Sequence, residues 1–251
     1  MTSSRISLRT GHYALRTFIL GTLLLFLFQP LQAQKSRPEP VYLGRRIAQT
    51  MHYAGASWLI RHEREREEAS ETMRAELHLK PGMNVCDMGS GNGYHTIPFA
   101  KAVAPDGKAY AVDIQQPMLE MLEAAARRAN VTNIVSILGA EDSPKLPDAS
   151  CDLIVLTDVY HEFSHPEAML AGMKQALKPG GQIVLVEFRA EDPGVPIKPE
   201  HKMSKAQIMK EMTANGFVLS RSFDKLPWQH MMWFAAGQPA PSSINTASPS
   251  K

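Results

Sequence analysis

Cysteine is nearly absent from this chain: 251 residues carry two, Cys86 and Cys151. Each falls inside an apolar strand pattern, Cys86 near the end of one and Cys151 near the start of another. If those strands are neighbours, the offset holds the two Cα atoms beyond the ~7 Å that a disulfide tolerates. The expectation is two buried free thiols. A basic excess is missing as well. The first 33 residues carry Arg5, Arg9 and Arg16 and no acid, so removing three arginines from 27 basic residues leaves 24 against 25 acidic ones. Nothing then points to nucleic acid or an anionic membrane as a partner. The apolar run Thr17 to Phe28, interrupted by Gly21 and Thr22, falls short of the ~20 residues that span a bilayer. No internal repeat is visible.

What is present begins with that N-terminal stretch. A basic start, an apolar run, the break at Gln29-Pro30 and the small Ala33 before Gln34 follow the three-part plan of a secretory signal peptide. Residues 1–33 are read as a leader for export, periplasmic or secreted, with an uncleaved membrane anchor as the alternative. Residues 34–40 read as a polar linker, 41–237 as one domain, and Gln238 to Lys251 as a disordered Pro/Ser tail with nothing to bury. The length suits one sizeable α/β domain.

Val41 to Ile60 carries apolar residues at helical spacing (Leu43, Ile47, Met51, Ala54, Trp58, Leu59). Arg61 to Glu68 alternates in charge, as a solvated helix face with i,i+4 pairs does. Residues 41–80 are therefore expected to form a helical cap ending before Lys80-Pro81-Gly82. Strands are expected over Met83–Met88, Lys108–Asp113, Asn133–Leu138, Asp152–Thr157 and Gln182–Phe188, the last following a Lys178-Pro179-Gly180-Gly181 turn. Helices are expected over Tyr94–Val103, Pro117–Ala129, Pro166–Leu177 and Ser204–Ala214, the last closed by Asn215-Gly216. Strands alternating with helices imply a doubly wound, mostly parallel α/β sheet. A hairpin of Phe217–Asp224 and Trp228–Ala235 closes it. Arg189 to Met203, rich in proline and charge, is a long loop and a candidate substrate element.

In such a sheet, ligands sit beyond the carboxyl ends of the strands, where the strand order reverses. The first strand ends in Asp87-Met88-Gly89-Ser90-Gly91-Asn92-Gly93, three alternate glycines before a helix. That turn brings backbone N–H groups close to a ligand, with Asp87 a fixed negative charge beside them. A dinucleotide pyrophosphate would suit it, and so would the amino-acid and ribose portion of S-adenosylmethionine. The dinucleotide fingerprint needs a glycine at 94, where this chain has Tyr94. A tight turn with a helix-capping acid is the plain structural alternative for Asp87. Asp113, with Ile114 beside it, ends the second strand about 20 residues on, where an acid commonly grips ribose hydroxyls. Gly139-Ala140-Glu141-Asp142 follows the third strand, and either meets an adenine edge or is a polar loop. Thr157-Asp158-Val159-Tyr160-His161-Glu162 leaves the fourth strand and puts a base, a phenol and two carboxylates over the pocket. His161-Glu162-Phe163-Ser164-His165 matches the zinc-protease pattern H-E-x-x-H, which requires one continuous helix. Pro166 disfavours helical geometry at His165. Ser164-His165-Pro166-Glu167 reads instead as a capping box opening the next helix. No third ligand is evident, so no metal is expected.

With these residues assembled, the chain resembles the class I S-adenosylmethionine-dependent methyltransferases over roughly Val41 to Gly237. Val85 to Gly93 matches the family's first motif, Asp113 the acid after strand two, and Leu177-Lys178-Pro179-Gly180-Gly181 the turn before strand five. The resemblance implies a seven-stranded sheet whose last strand is antiparallel. It implies S-adenosylmethionine as methyl donor, with Asp87, Gly89, Ser90, Gly91 and Gly93 at its methionine part, Asp113 and Ile114 at the ribose, and Glu141 or Asp142 at the adenine. Asp158 joins the cofactor side. Many members place an Asp where this chain has Ala140, so the adenine contact departs from the family pattern. Methyl transfer is an in-line displacement, accelerated largely by alignment and exclusion of water. For an acceptor that carries a proton, His161 is the expected base, oriented by Glu162 or Asp158, with Tyr94 and Tyr160 lining the methyl site. Arg45, Arg46, His52 and Trp58, the Arg189 loop and Trp228-Gln229-His230 are candidate lids, packing being the preferred reading for Trp58 and Trp228. The acceptor is unspecified, with a small molecule preferred, and the oligomeric state is not readable. A non-catalytic nucleotide-binding protein and an exported zinc hydrolase built on His161, Glu162 and His165 are the competing classes. The leader and a cytosolic methyl donor stand in tension.

Overall fold

A pair of positive-φ residues ends the helical reading of the N-terminal cap. In the computed structural model, which describes residues 40–237, Leu43 (φ 46°) and Gly44 (φ 93°) turn the chain back on itself. Val41–Tyr42 (β1) therefore pairs antiparallel with Arg45–Arg46 (β2). No helix accommodates two consecutive left-handed residues. Residues 47–52 follow as an irregular strap, and Tyr53–Ile60 as a 3-10 helix that His52 opens, its Nδ1 accepting from Ala54 N at 3.2 Å. The spaced apolar residues do not share a face: Ala48 and Ala56 are buried, while Trp58 and Ile60 are exposed. Arg64–Glu68 (α1) and Ser70–Glu76 (α2) are separated by Ala69 at φ 47°. The charge run is not a solvated face, because Arg64 and Glu68 are 4% and 1% exposed. The leader, residues 34–39 of the linker and the 238–251 tail lie outside the described residues.

From Val85 onward strand and helix alternate. Val85–Met88 (β3), Thr96–Val103 (α3), Ala109–Asp113 (β4), Gln116–Arg128 (α4), Ile134–Leu138 (β5), Cys151–Thr157 (β6), Pro166–Ala176 (α5), Leu177–Phe188 (β7), Lys205–Ala214 (α6), Phe217–Phe223 (β8) and Gln229–Ala236 (β9) succeed one another. The main sheet has seven strands in the order β5-β4-β3-β6-β7-β9-β8, with β9 antiparallel to both its neighbours. This is the expected doubly wound sheet with an antiparallel closing hairpin. Its core lies in two apolar layers. Ile154 and Leu156 join Leu170, Met173 and Phe234 on one face, while Leu153 and Val155 join Phe99, Val103 and Trp233 on the other. A strand covered on both faces has no place for a polar residue, which is why β6 is apolar at both parities.

Two local expectations fail. Lys178 to Gly181 is no separate turn, since β7 runs through it, with the register shifting opposite Asp152. The capping box does not form: His165 precedes α5 without a side-chain cap, and Ser164 Oγ donates to Glu141 Oε2 at 3.3 Å. Ser204 does cap α6, accepting from Gln207 N at 3.1 Å.

Crossovers between parallel strands put successive strands on opposite sides of β3. The chain runs outward through β4 and β5, then returns to lay β6 against the other edge of β3. The strand order reverses there, where Met88 and Leu156 are register partners. Among the described residues no helix is long and apolar enough to cross a membrane.

Cys86 lies on β3 opposite Ile154, and both cysteines are free and buried. Burial, and then the nearby Cys151 thiol, push the Cys86 thiol well above the usual range. Thiol titration of the denatured, non-reduced protein should return two free thiols per chain; a count of zero would contradict this structure.

Candidate active site

The glycines after β3 are bare for steric reasons. Gly89, Gly91 and Gly93 all have positive φ (73°, 52° and 90°), and a Cβ on Gly89 would lie 2.4 Å from Val159 Cγ2. On Gly91 it would lie 2.7 Å from Leu59 Cδ1. Gly89 N and Ser90 N both donate to Val112 O, at 2.8 and 3.0 Å. Gly91 N donates to Asp113 Oδ2 at 2.9 Å, while Asp113 Oδ1 accepts from Gln115 N at 2.8 Å. Burial pushes Asp113 upward against these backbone donors. Asp87 plays another part. Its Oδ2 accepts from Thr96 Oγ1 at 2.5 Å, tying the strand end to the start of α3. Burial raises it to about 6, opposed by Thr96 and Arg64. Asp87 stands behind the cradle as a structural acid, the alternative that the turn itself allowed.

A cavity of about 1130 Å³ opens at the reversal point. Gly89, Gly91, Asp113, Ile114, Glu141, Asp158, His161 and Glu162 line it. Other expected residues do not. Ser90 and Gly93 are buried behind the turn, and Asp142 is exposed beyond the wall. Tyr160 is fully buried with its ring 5.5 Å from the Arg45 guanidinium, so it faces the core rather than a methyl site. Tyr94 is drawn to Arg64, whose guanidinium lies 4.2 Å from its ring centre.

One end of the cavity is built for a charged ligand. Asp158, at φ 54°, accepts from Gln229 Nε2 on Oδ2 at 2.7 Å. Its Oδ1 and the Thr157 hydroxyl are enclosed without a partner among the described residues. Burial, then Glu68 and Glu187, push the Asp158 carboxyl well above its ordinary range. Arg64 also lines this cavity and is held by Glu68 Oε2 at 2.7 Å, Leu59 O at 2.7 Å and His95 Nε2 at 3.2 Å. Burial and Arg64 keep His95 well below its usual range, hence neutral. An unmatched carboxylate oxygen and a guanidinium in one wall fit the ammonium and carboxylate of an amino acid.

The other end gathers histidines. His161 sits on a 3-10 turn after β6, and its Nδ1 meets Glu187 Oε2 at 2.6 Å. Glu187 Oε1 accepts from Tyr160 N at 2.9 Å. A ring nitrogen this close to a carboxylate carries the proton, which leaves the Nε2 lone pair facing His201 Nδ1 at 3.1 Å. Burial alone would lower His161, but Glu187 outweighs it and the net shift is upward. Glu162 is raised to about 7 by burial. Neither Glu162 nor Asp158 orients His161; Glu187 does. His165 is exposed at the start of α5, so His161 and His165 share no helix and the zinc-protease geometry does not exist.

Sequence reasoning missed Glu187, His201 and the Arg45–Glu211 pair. Glu187 was visible as a lone charge in the apolar run Ile183 to Phe188. His201 comes from the long loop after β7, which was singled out without naming a residue. Arg45 grips Glu211 with Nε at 2.7 Å and Nη2 at 2.9 Å, and donates Nη1 to His161 O at 2.7 Å. The strap crosses the cavity on isolated bonds: Gln115 Nε2 donates to Met51 O at 2.8 Å, and Gln115 Oε1 accepts from Tyr53 N at 2.8 Å. Met51 N donates to Glu162 Oε1 at 3.4 Å, and Asn92 Nδ2 to Ala56 O at 2.9 Å. Trp58 lines the cavity beneath the Arg61 guanidinium, whereas Trp228 packs beside Phe188.

Comparison with known proteins agrees with this geometry. A family model described as a methyltransferase domain matches residues 79–236. The ubiquinone/menaquinone biosynthesis C-methyltransferase UbiE of Cupriavidus metallidurans is 32% identical over 114 residues, 45% of this chain and 46% of that one. The same enzyme of Burkholderia orbicola gives the same figures. The chain thus spans about half the length of these curated relatives. Among solved structures, a SAM-dependent methyltransferase from Aquifex aeolicus superposes with a TM-score of 0.69 at 23% identity, over 74% of this chain and 98% of that one. The PH0226 protein of Pyrococcus horikoshii does so with a TM-score of 0.59 at 15% identity, over 70% and 92%. At those identities the structures speak for the fold, and the matched domain over more than half of the residues speaks for descent: the chain belongs to the class I S-adenosylmethionine-dependent methyltransferase family.

Proposed function

We propose that this protein transfers the methyl group of S-adenosylmethionine to a small-molecule acceptor seated at the His161 end of the cavity. The observation that carries this is the pairing, in one cavity, of a bare glycine cradle and unmatched Asp158 with a carboxylate-oriented histidine. When bound, the donor supplies an electrophilic methyl on a sulfonium. Gly89 and Gly91 let backbone approach it, Asp113 faces its ribose, and Asp158 and Arg64 take its ammonium and carboxylate. The strap excludes water from the cavity. His161, fixed by Glu187, receives the proton that the acceptor sheds. The related UbiE enzymes are C-methyltransferases, and a carbon acceptor must lose a proton as surely as a hydroxyl does.

Residues 1–33 belong to the same proposal as a cleaved export leader, supported by their basic, apolar and small-residue plan. Intact-mass measurement on protein isolated from its host should find a chain beginning at Gln34. A chain that keeps its N-terminal arginines would make the segment an anchor instead.

Calorimetry should show saturable one-to-one binding of S-adenosylmethionine; no heat and no competition by the demethylated product would sink the proposal. The affinity should depend on pH through Asp158. Glu68 and Arg64 of α1, Glu187 of β7 and Gln229 of β9 face this carboxyl, and in the free protein it holds its proton above the ordinary range. A cationic ammonium favours the ionised form, so binding releases a proton below the raised pKa. Affinity should therefore climb with pH, by up to about tenfold per unit, and level off above that pKa. Asp158→Asn should flatten the profile; an unchanged slope would remove Asp158 from the site.

With radiolabelled donor and a cell extract as acceptor source, the wild-type protein should label a low-molecular-weight product. His161→Ala should slow labelling by about 10²–10⁴-fold. Undiminished labelling at every pH would place acceptor activation elsewhere.

A further inference from the structure

We propose that His161, His201 and Glu162 form a binding site for one divalent transition-metal ion at the acceptor end of the cavity. Their ligand atoms all lie within 4.8 Å of one another, in a chain where H-E-x-x-H had suggested a different trio. His161 Nε2 and His201 Nδ1 face each other at 3.1 Å. Around an ion that binds imidazole nitrogens at about 2.0–2.1 Å, adjacent donors sit roughly 3 Å apart, so the two rings already stand at ligand spacing. Glu187 supplies the outer partner that such ligands require, holding the Nδ1 proton of His161 at 2.6 Å and aiming Nε2 at the shared point. Glu187 is itself wholly buried and fixed by Tyr160 N at 2.9 Å, so this aim is built into the sheet.

The donors come from two separate segments. His161 and Glu162 belong to the turn after β6, and His201 to a 3-10 turn, Pro199–His201, in the loop after β7. That loop is returned to the sheet by Met203 N donating to Phe188 O at 2.9 Å. All three residues line the same cavity. Two imidazoles and one carboxylate suit zinc, iron, cobalt or manganese rather than magnesium or calcium, which prefer oxygen alone. Three protein ligands also leave a coordination position open for something other than protein.

What the ion would do rests on the methyltransferase reading. It marks the acceptor as a molecule with an acidic hydroxyl, a phenol or an enol. The hydroxyl oxygen takes the open position, its O–H bond breaks, and the proton passes to solvent water. The oxyanion, or the ring carbon it activates, then forms the new bond to the methyl carbon. The sulfur–methyl bond breaks with its electron pair going to sulfur, and a carbon acceptor afterwards loses its own proton to water. Without the ion, His161 Nε2 is free to take the proton itself, so the two states differ in what activates the acceptor.

Untagged protein, stripped with chelator, should be titrated with Co²⁺ by visible absorption and with Zn²⁺ by calorimetry. One ion per chain is expected for each metal. His201→Ala, a half-buried loop position, should weaken binding by at least about tenfold, and Glu187→Gln by about 10–100-fold. His165→Ala should leave the metal affinity unchanged. Absence of saturable one-equivalent binding overturns the site, as does binding that survives His201→Ala or is lost in His165→Ala. S-adenosylmethionine titrated into the same samples separates the two proposals. Donor binding without metal binding refutes the metal site alone, and metal binding without donor binding refutes the transferase reading while keeping the site.

Discussion

The site exists because two neighbouring parallel strands send the chain in opposite directions. β3 and β6 lie side by side in register, but β3 leads to one flank of the sheet and β6 to the other. Where the outgoing segments part, no crossover covers the strand ends, and a crevice is left that the sheet's own hydrogen bonding cannot close. Everything chemical in this protein is placed relative to that parting. The glycine turn leaves from one lip, the Asp158 to Glu162 segment from the other, and Glu187 rises from the next strand to hold His161.

Polar groups buried around the crevice divide into two networks with different work. Arg64, Glu68, His95 and Asp158 surround one end, where net charge is left partly unmatched. Glu187, His161 and His201 form the other, together with the Arg45–Glu211 pair that grips the His161 carbonyl. Both networks draw on residues before β3, so the N-terminal 40–68 segment is part of the site's wall. Removing one member of a buried ion pair such as Arg45–Glu211 leaves its partner's charge uncompensated, a cost of about 3–5 kcal/mol.

The sheet was legible because its signal is local and repeated. β6 reads apolar at both parities, which only a strand covered on two faces requires, and three alternate glycines ending β3 have no cheaper explanation than a turn at positive φ. The cap was misread for a physical reason: apolar spacing from Val41 to Ile60 is helical, but Leu43-Gly44 turns left-handed and tertiary bonds to Gln115, Glu162 and Asn92 hold the rest extended. The site was half legible. Asp113, Asp158 and His161 follow strand ends and can be found by position. His201 lies 40 residues beyond His161 in an irregular loop, and no spacing rule brings it there. Tyr160 illustrates the converse, since proximity in sequence to His161 says nothing about which way a ring turns once the backbone enters a 3-10 turn. Asp87 was misplaced because a carboxylate beside a ligand and one capping a helix read identically in a single sequence.

The strap over the cavity is tethered differently from anything else near it. Strands are sewn by ladders in which each bond protects the next; this segment hangs on separate, unreinforced contacts from Gln115, Glu162 and Asn92. Such a flap can lift without fraying the sheet beneath it. Fresh donor arrives, and spent donor leaves, through a door whose hinges are independent of the walls, so traffic and architecture can be tuned by mutation separately.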